Sequence, residues 1–405
     1  MTGSSRRLHG SFVISEIALA VVLLVCAGMF GRTLLRLSSL HPGVNIHNVL
    51  VTRTALSAAT LANTARTRAA WQDVLDRARR VPGVQSAAIV DTVPLRIGQN
   101  QLGYWTTPDL PPPNEQPLAL ATSVTPDYSD VMGLTLRRGR FFNDQDRQGT
   151  ERVVVVDDVL AQAAFGRQDP IGKHLWITMG SDPARIVGVV GHVRYWGLAS
   201  DDQARVRAQL YYPFAQLPDE NVRRWSELMS IAVRTRIDPL TMEEPLRQAV
   251  RGATNDQVIY EVRTMEQLAR ESLAQQRFLL LLFGIFAALA LLLACIGVYG
   301  VLAYLTGQRV PEIGLRMALG ATASDVMGMV IRQSLGMIFL GVGVGLAAAM
   351  AAAGLLRRVV DGMQPTQVST FAIMISILVV AALVASFIPA RRASRVDPLN
   401  ALRQD

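Results

Sequence analysis

This chain of 405 residues is 50% hydrophobic and only 18% charged, and its apolar residues concentrate in a few long blocks, which excludes a purely soluble protein. The net charge of +8 would suit a nucleic-acid binder, but the basic residues do not cluster with aromatic ones as base-stacking proteins require, so we expect no nucleic-acid partner. The only two cysteines, Cys26 and Cys295, lie inside apolar blocks, and packing is the expected role of both.

Four apolar blocks predict transmembrane helices at residues 12–32, 278–305, 335–356 and 371–388. About 20 apolar residues are needed to cross a hydrocarbon core of roughly 30 Å. Arg6 and Arg7 precede the first block, which is also typical of a cleaved signal peptide. Its helical pattern continues to Arg36, however, and we therefore interpret it as a retained anchor.

The placement of arginines predicts the orientation of these helices. Basic residues mark the segments 1–11, 306–334 and 389–405, which share one membrane face if every block crosses. Arg32 and Arg36 after the first block, and Arg357 and Arg358 after the third, oppose this assignment. On balance both termini and the 306–334 loop are predicted to be cytoplasmic, with residues 33–277 and the short loop 357–370 extracytoplasmic.

The large loop, residues 33–277, contains two similar stretches. Each has a strand, a helix and a strand, predicted at 49–56, 62–80 and 84–90 and again at 229–235, 239–251 and 257–262. Two such units on one sheet predict a ferredoxin-like βαβ domain of the α/β class. The intervening residues, about 118–214, predict an inserted, mainly-β subdomain with strands at 152–156 and 184–190.

The end of the loop is predicted to be a stalk. Thr264 is a suitable N-cap, and the helical pattern then runs almost unbroken from residue 265 into the second transmembrane block. At 1.5 Å per residue this helix is much longer than a bilayer core, so residues 265–277 are expected to extend the second span rigidly outward.

No catalytic, cofactor or metal site is predicted. Lys173 follows a glycine-containing turn, but the spacing from Gly166 is one residue too long for a P-loop and His174 replaces the required hydroxyl. The paired acids Asp157–Asp158 and Asp201–Asp202 are interpreted as solvated loops, because adjacent side chains diverge. None of the five histidines forms a metal-binding pair by spacing; they are His9, His41, His47, His174 and His192. An enzyme is therefore not expected.

Glu16 is an acid near the cytoplasmic end of the first span, where a carboxylate is a functional candidate. We expect an interfacial ion pair with Arg309 or Arg316. Snorkelling to the interface and a proton- or substrate-handling role remain alternatives.

The 306–334 loop predicts a short amphipathic helix. Pro311 suits a first helical turn, Glu312 lies at its positive end, and Arg316 follows four residues later in a stabilising orientation. Gly320 marks the expected end, after which a helix restarts near Ala323 and leads into the third span. A capped connector without any partner would have the same features.

Three sets of motifs resemble the FtsX/MacB-type permeases of ABC transporters. Arg309-Val-Pro-Glu-Ile-Gly-Leu-Arg-Met-Ala-Leu-Gly-Ala321 is similar to the signature loop of that family, and residues 389–403 resemble its closing motif. Residues 137–142, 169–173 and 186–191 resemble the MacB-like periplasmic core domain. The duplicated orphan permeases look most similar, but they carry two such modules and this sequence shows one. It therefore fits either a complete protein or one half of a duplicated permease.

This resemblance implies a permease of the bacterial cytoplasmic (inner) membrane with a porter-like extracytoplasmic domain. It implies a dimer, formed with itself or with a paralogous module, and an ABC ATPase subunit that binds ATP in place of this chain. Membrane lipid and a further envelope partner complete the expected partners. The residues that would couple to the ATPase are Arg309, Glu312, Ile313, Gly314, Arg316, Leu319 and Gly320. Efflux or envelope substrate handling is the expected role. The alternatives are a non-transporting mechanotransmitting scaffold that regulates an envelope enzyme, and a membrane-anchored ligand-binding module.

Overall fold

The computed structural model describes residues 3–96, 100–180, 182–227, 229–251, 258–319, 321–360 and 367–393. They belong to two compact units, one from Met1–Arg36 with Gln275–Asp405 and one from Leu37–Ala274. The helices are α1 Gly3–Ser38, α2 Ala58–Leu61, α3 Thr64–Arg80, α4 Tyr128–Met132, α5 Asp158–Phe165, α6 Asp219–Ser226, α7 Glu243–Arg251, α8 Met265–Glu271, α9 Ala274–Gln308, α10 Val310–Ala318, α11 Ala323–Val359 and α12 Val368–Ala393. The strands are β1 Val49–Ala55, β2 Val84–Val90, β3 Gln101–Trp105, β4 Leu118–Val124, β5 Leu136–Gly139, β6 Val153–Asp157, β7 His174–Ile177, β8 Ala184–Val190, β9 Gln209–Pro213, β10 Ser230–Thr235 and β11 Val258–Thr264.

Within the described residues, four helices are long and apolar enough to cross a membrane. They are Gly10–Ser38, Ala274–Gln308, Ala323–Leu356 and Val368–Arg392. Each includes one of the four apolar blocks of the sequence and extends beyond it, because a helix continues past the hydrocarbon core into polar flanks.

The first helix packs against the other three within this membrane unit, and glycines permit its close approach. A Cβ placed on Gly341 or Gly345 of α11 would lie 2.7 Å from the side chain of Ile17 or Val21 on α1. On α12, Met374 fills the space beside Gly28, and on α9, Phe283 stacks on Phe30 at 5.2 Å. Small residues four apart let helix backbones come close, which is a common way of packing helices in lipid.

In the second unit, β1, β2, β10 and β11 pair in the order β11-β1-β10-β2, every pair antiparallel. The connections from β1 to β2 through α3 and from β10 to β11 through α7 therefore each join parallel strands. Trp71, Val74 and Leu75 of α3 are buried in the core of this unit. The two strand–helix–strand units predicted from the sequence are both present, although α3 begins at Thr64 after a separate short helix.

The remaining strands form a ring of pairings. The order β4-β3-β7-β8-β6-β9 is closed by a parallel pairing of β9 with β4, and β5 pairs with β8. The strand β2 joins this ring through its pairing with β4. The strand β3 belongs to this ring but precedes residue 118, so the inserted β-rich part starts earlier than predicted. The cause is pairing with β4 and β7, which lie later in the chain.

The helix predicted to run almost unbroken from residue 265 is divided into two helices. Its polar part is α8, which Thr264 and Gln267 cap reciprocally, and α9 starts only after Ser272 and Leu273. The Ser272 hydroxyl donates to the Ala269 carbonyl and Leu273 is buried, which favours a turn at this point. The sequence pattern missed this break because serine and leucine are both tolerated inside helices.

Candidate functional site

Helix α10 carries the predicted charged pair. Glu312 and Arg316 are joined at 2.8 Å between Oε1 and an Nη atom, and both side chains are half exposed. The acid occupies the first turn and the base the last, an arrangement that the helix dipole favours. Arg309 stands at the N-cap position, where it makes no side-chain capping hydrogen bond.

The two sides of α10 differ in burial. Ile313 is only 2% exposed and Gly314 is buried, whereas Leu315 is 52% and Leu319 is 80% exposed. The exposed residues Glu312, Leu315, Arg316 and Leu319 follow a spacing of three, four and seven residues, which places them in one stripe along the helix. Gly320, the last of the predicted coupling residues, lies outside the described residues.

The first turns of α11 extend this stripe. Thr322 and Asp325 form a reciprocal capping box that fixes the start of α11. Arg316 also donates to the sulfur of Met329 at 3.5 Å. Beside that contact is a shallow depression lined by Asp325, Gly328, Met329 and Arg332. We call the exposed stripe of α10 together with this depression the α10–α11 face. It combines charges of both signs with uncovered leucines.

Glu16 does not form the predicted ion pair in the part of the chain that the structure describes. Its Oε2 atom is buried without a hydrogen-bond partner and packs against the backbone of Gly297 on α9. Arg316, one of the two expected partners, is paired with Glu312 instead. A pair within one helix forms locally, whereas the Glu16 pair would need a side chain from another element.

A buried histidine clamp is a feature that the sequence analysis missed. His192 contacts Asp157 through Nδ1 at 2.7 Å and Asp201 through Nε2 at 2.8 Å, and both carboxylates are fully buried. Asp157 also caps α5 and accepts from the backbone of Gln209, so the clamp ties the loop after β8 to β6 and β9. The interpretation of Asp157 and Asp201 as solvated was therefore wrong.

The clamp is suited to structure rather than to chemistry. Burial alone would lower the pKa of His192, but hydrogen bonds to Asp157 and Asp201 outweigh it and raise the pKa to about 9. A protonated imidazole has no lone pair for a metal. The ligand atoms of Asp157, Asp158 and His192 do lie within 4.8 Å of one another. Because His192 already uses both ring nitrogens, we interpret the group as an ion-pair network that holds a loop.

Two family models match this chain and together cover most of it. The MacB-like periplasmic core domain matches residues 13–251, and the FtsX-like permease C-terminal region matches residues 284–398. The second match includes the whole α10–α11 face.

Curated relatives agree with these matches. The chain is 25% identical over 293 residues to the uncharacterized ABC transporter permease YknZ of Bacillus subtilis, covering 72% of this chain and 71% of that protein. It is 30% identical to the pyoverdine export ATP-binding/permease protein PvdT of Pseudomonas savastanoi pv. phaseolicola, over 66% of this chain and 40% of the relative. It is 26% identical to the macrolide export ATP-binding/permease protein MacB of Escherichia coli K12, over 71% of this chain and 44% of the relative. The chain thus spans less than half the length of the two ATP-binding/permease proteins.

Solved structures with weak overall similarity include two excised domains. The periplasmic region of MacB from Actinobacillus actinomycetemcomitans covers 56% of this chain and 94% of that chain at 16% identity, with a TM-score of 0.38. The extracellular domain of the noncanonic ABC-type transporter YknZ covers 52% of this chain and 100% of that chain at 16% identity, with a TM-score of 0.33.

Proposed function

This chain belongs to the ABC transporter permease family that joins a MacB-like periplasmic core domain to an FtsX-like permease C-terminal region, and we propose that it is the membrane subunit of such a transporter, driven by a separate ATPase. ATP would be bound by that partner, since the G-x4-G-K-[ST] pattern is not found in this sequence. Motion driven by ATP would reach the extracytoplasmic domain and serve efflux or the handling of an envelope substrate.

The observation that carries this proposal is the α10–α11 face. Its α10 part lies between two helices able to span a membrane, α9 and α11. It leaves Leu315 and Leu319 uncovered beside the Glu312–Arg316 pair. A helix that offers residues at spacings of three, four and seven is suited to a groove on a partner protein. We propose that the ATPase covers this stripe.

The proposal includes an orientation and an assembly. Both termini and the α10–α11 face would be cytoplasmic, with residues 37–274 outside the bacterial inner membrane, because arginines concentrate in the segments assigned to the cytoplasm. By resemblance to the family, the proposed assembly is a dimer of permeases with two ATPase subunits. The order β11-β1-β10-β2 with two strand–helix–strand units supports a ferredoxin-like core for the extracytoplasmic domain.

The test uses the full chain, co-expressed with the ABC ATPase encoded nearest to its gene. Leu319→Asp and Glu312→Lys should each reduce co-purification of the ATPase and its stimulation by the permease. The double swap Glu312→Arg with Arg316→Glu keeps an ion pair within the helix but reverses the order of its charges. ATPase association should therefore remain impaired if the ATPase recognises that order.

Glu151→Lys is the matched control. Glu151 pairs with Arg185 at the same distance, 2.8 Å, and with similar exposure, but it lies in the other unit. Normal ATPase association of all three α10 variants would refute the proposal. Transport by the reconstituted complex would separate efflux from the scaffold alternative, which requires ATPase coupling without movement of a substrate.

A further inference from the structure

The unit Leu37–Ala274 contains a cavity of about 900 Å³ that the proposed transport coupling does not use. It lies between β3, β7, α6 and the segment that connects β3 to β4. Its volume is near the upper end of the range for small-molecule sites, roughly 300–1,000 Å³.

Tryptophans form much of the apolar part of the cavity wall, beside Leu102, Pro108, Leu110 and Met179. Trp105 on β3 and Trp176 on β7 are directly opposite each other in an antiparallel pair. The neighbours of Trp176 on β7, Leu175 and Ile177, are buried in the core, so Trp176 points to the other side of the sheet. Two indole rings are thereby placed side by side on the face that borders the cavity, where both remain partly exposed.

A third tryptophan comes from α6. Trp225 is packed edge-on against Tyr212, with ring centroids 5.3 Å apart and planes at 77°. This contact packs the ring against a buried tyrosine. The cavity therefore has rigid aromatic surfaces contributed by three different elements.

Carboxamide side chains form much of the polar part. Asn100, Gln101, Gln116 and Asn221 all line the cavity. Two of them are held in place, since Asn100 donates to the buried Asp91 at 3.0 Å and Gln116 donates to the carbonyl of Pro111 at 2.9 Å. Each carboxamide combines two donors with an acceptor that has two lone pairs, so anchored amides keep hydrogen-bonding capacity for another molecule.

The charges of the lining cancel. Glu220 and Arg224, four residues apart on α6, are the charged residues among those that line the cavity in the described part of the chain. A strongly charged ligand would find no matching excess of either sign. A purely apolar ligand would bury the amides without partners, which is costly.

We propose that this cavity binds an uncharged saccharide. A sugar ring presents an apolar face of C–H groups and an edge of hydroxyl groups. The indole rings match the face through their flat apolar surfaces, and the amides match hydroxyls, which both donate and accept. The extracytoplasmic domain would in this way recognise a short glycan, independently of the ATPase.

The test is a titration of the full chain, purified in lipid nanodiscs with no glycoside detergent, because a maltoside would itself occupy the site. The probes are two neutral trimers, one of N-acetylglucosamine and one of glucose. Tryptophan emission and calorimetry measure binding, and three of the chain's five tryptophans line the cavity. We expect saturable binding of at least one trimer with a dissociation constant of about 1 mM or tighter.

The variants separate recognition from folding. Trp176→Ala should weaken binding about tenfold or more, and Asn221→Ala should weaken it to a smaller extent. Two controls should bind like the unmodified chain: Trp196→Phe, whose indole donates to Val206 away from the cavity, and Gln72→Ala, an exposed amide on α3. Thermal unfolding of each variant confirms that it is folded.

Three results would overturn the proposal. The first is that neither trimer binds the unmodified chain. The second is that a folded Trp176→Ala variant binds as tightly as the unmodified chain. The third is that an uncharged tripeptide binds more tightly than both trimers and loses its binding in Trp176→Ala, which would assign the cavity to peptides.

Discussion

Replacing His192 by glutamine should strongly destabilise the unit Leu37–Ala274. The imidazole bridges Asp157 and Asp201, both fully buried. Removing it would take away the cation that contacts Asp157 and would leave Asp201 with the more distant guanidinium of Arg207, at 3.8 Å. Breaking a buried ion pair by removing one partner costs about 3–5 kcal/mol. The pKa of His192, raised against the effect of burial from 6.5 to about 9 by these same hydrogen bonds, agrees in direction, because the folded state favours the charged imidazole.

The raised pKa of His192 also determines how the stability of this unit changes with pH. The folded pKa of His192 exceeds its unfolded value, so the folded state keeps a proton that the unfolded state releases. The stabilisation is complete below about pH 6.5 and is lost as the pH rises towards 9. The unmodified chain should therefore lose stability across this interval, and His192→Gln should lack that part of the dependence.

Urea unfolding of the full chain in nanodiscs measures both effects. All five tryptophans lie between residues 37 and 274, so their emission reports on this unit alone. His174→Gln is the control, because His174 is exposed on β7. Equal unfolding midpoints for His192→Gln and the unmodified chain, or equal slopes between pH 6.5 and 9, would refute the clamp.

Two further predictions concern other buried positions. Burial raises the pKa of Asp91 to about 7, above its unfolded value. The folded state therefore has the full stability associated with the protonated carboxyl at about pH 4 and loses it as the pH rises to 7. Asp91→Asn should flatten that decline in the same urea experiment. Gly345→Leu should disrupt packing of α1 on α11, because a Cβ there would lie 2.7 Å from Val21 and 2.9 Å from Ala18. Gly343→Leu, with nothing within 4 Å of the added Cβ, should behave normally in size-exclusion chromatography, and equal behaviour of the two variants would contradict the prediction.

Runs of apolar residues in the sequence correctly predicted several strands and the four apolar helices. The strands 84–90 and 184–190 have the predicted bounds, because continuous or alternating apolar residues fix how a strand is buried. The four apolar helices were predicted for the same reason. The boundary of the β-rich insertion was not, because β3 is assigned by its pairing with strands that follow it in the chain.

The histidine clamp could not be predicted from neighbouring residues in the sequence. Adjacent side chains do diverge at Asp157–Asp158 and Asp201–Asp202, and in each pair the second acid is exposed. Divergence, however, also directs the first acid of each pair inward. The position of Asp157 directly after four buried valines, at the start of a helix, was the available signal. Its partner His192 lies 35 residues away, beyond the reach of any spacing rule.

If the ATPase covers the exposed stripe of α10 as proposed, its leucines and its ion pair should contribute differently to binding. A surface ion pair such as Glu312–Arg316 contributes only about 0.3–0.5 kcal/mol within a helix. Full burial of a leucine is worth roughly 1.5–3 kcal/mol, so covering Leu315 and Leu319 offers a partner several times more free energy. The opposite charges, fixed in order along the helix, instead define the direction in which a partner can dock. Affinity would thus come from the leucines and orientation from the pair, which is why Leu319→Asp should impair ATPase association more severely than Glu312→Lys.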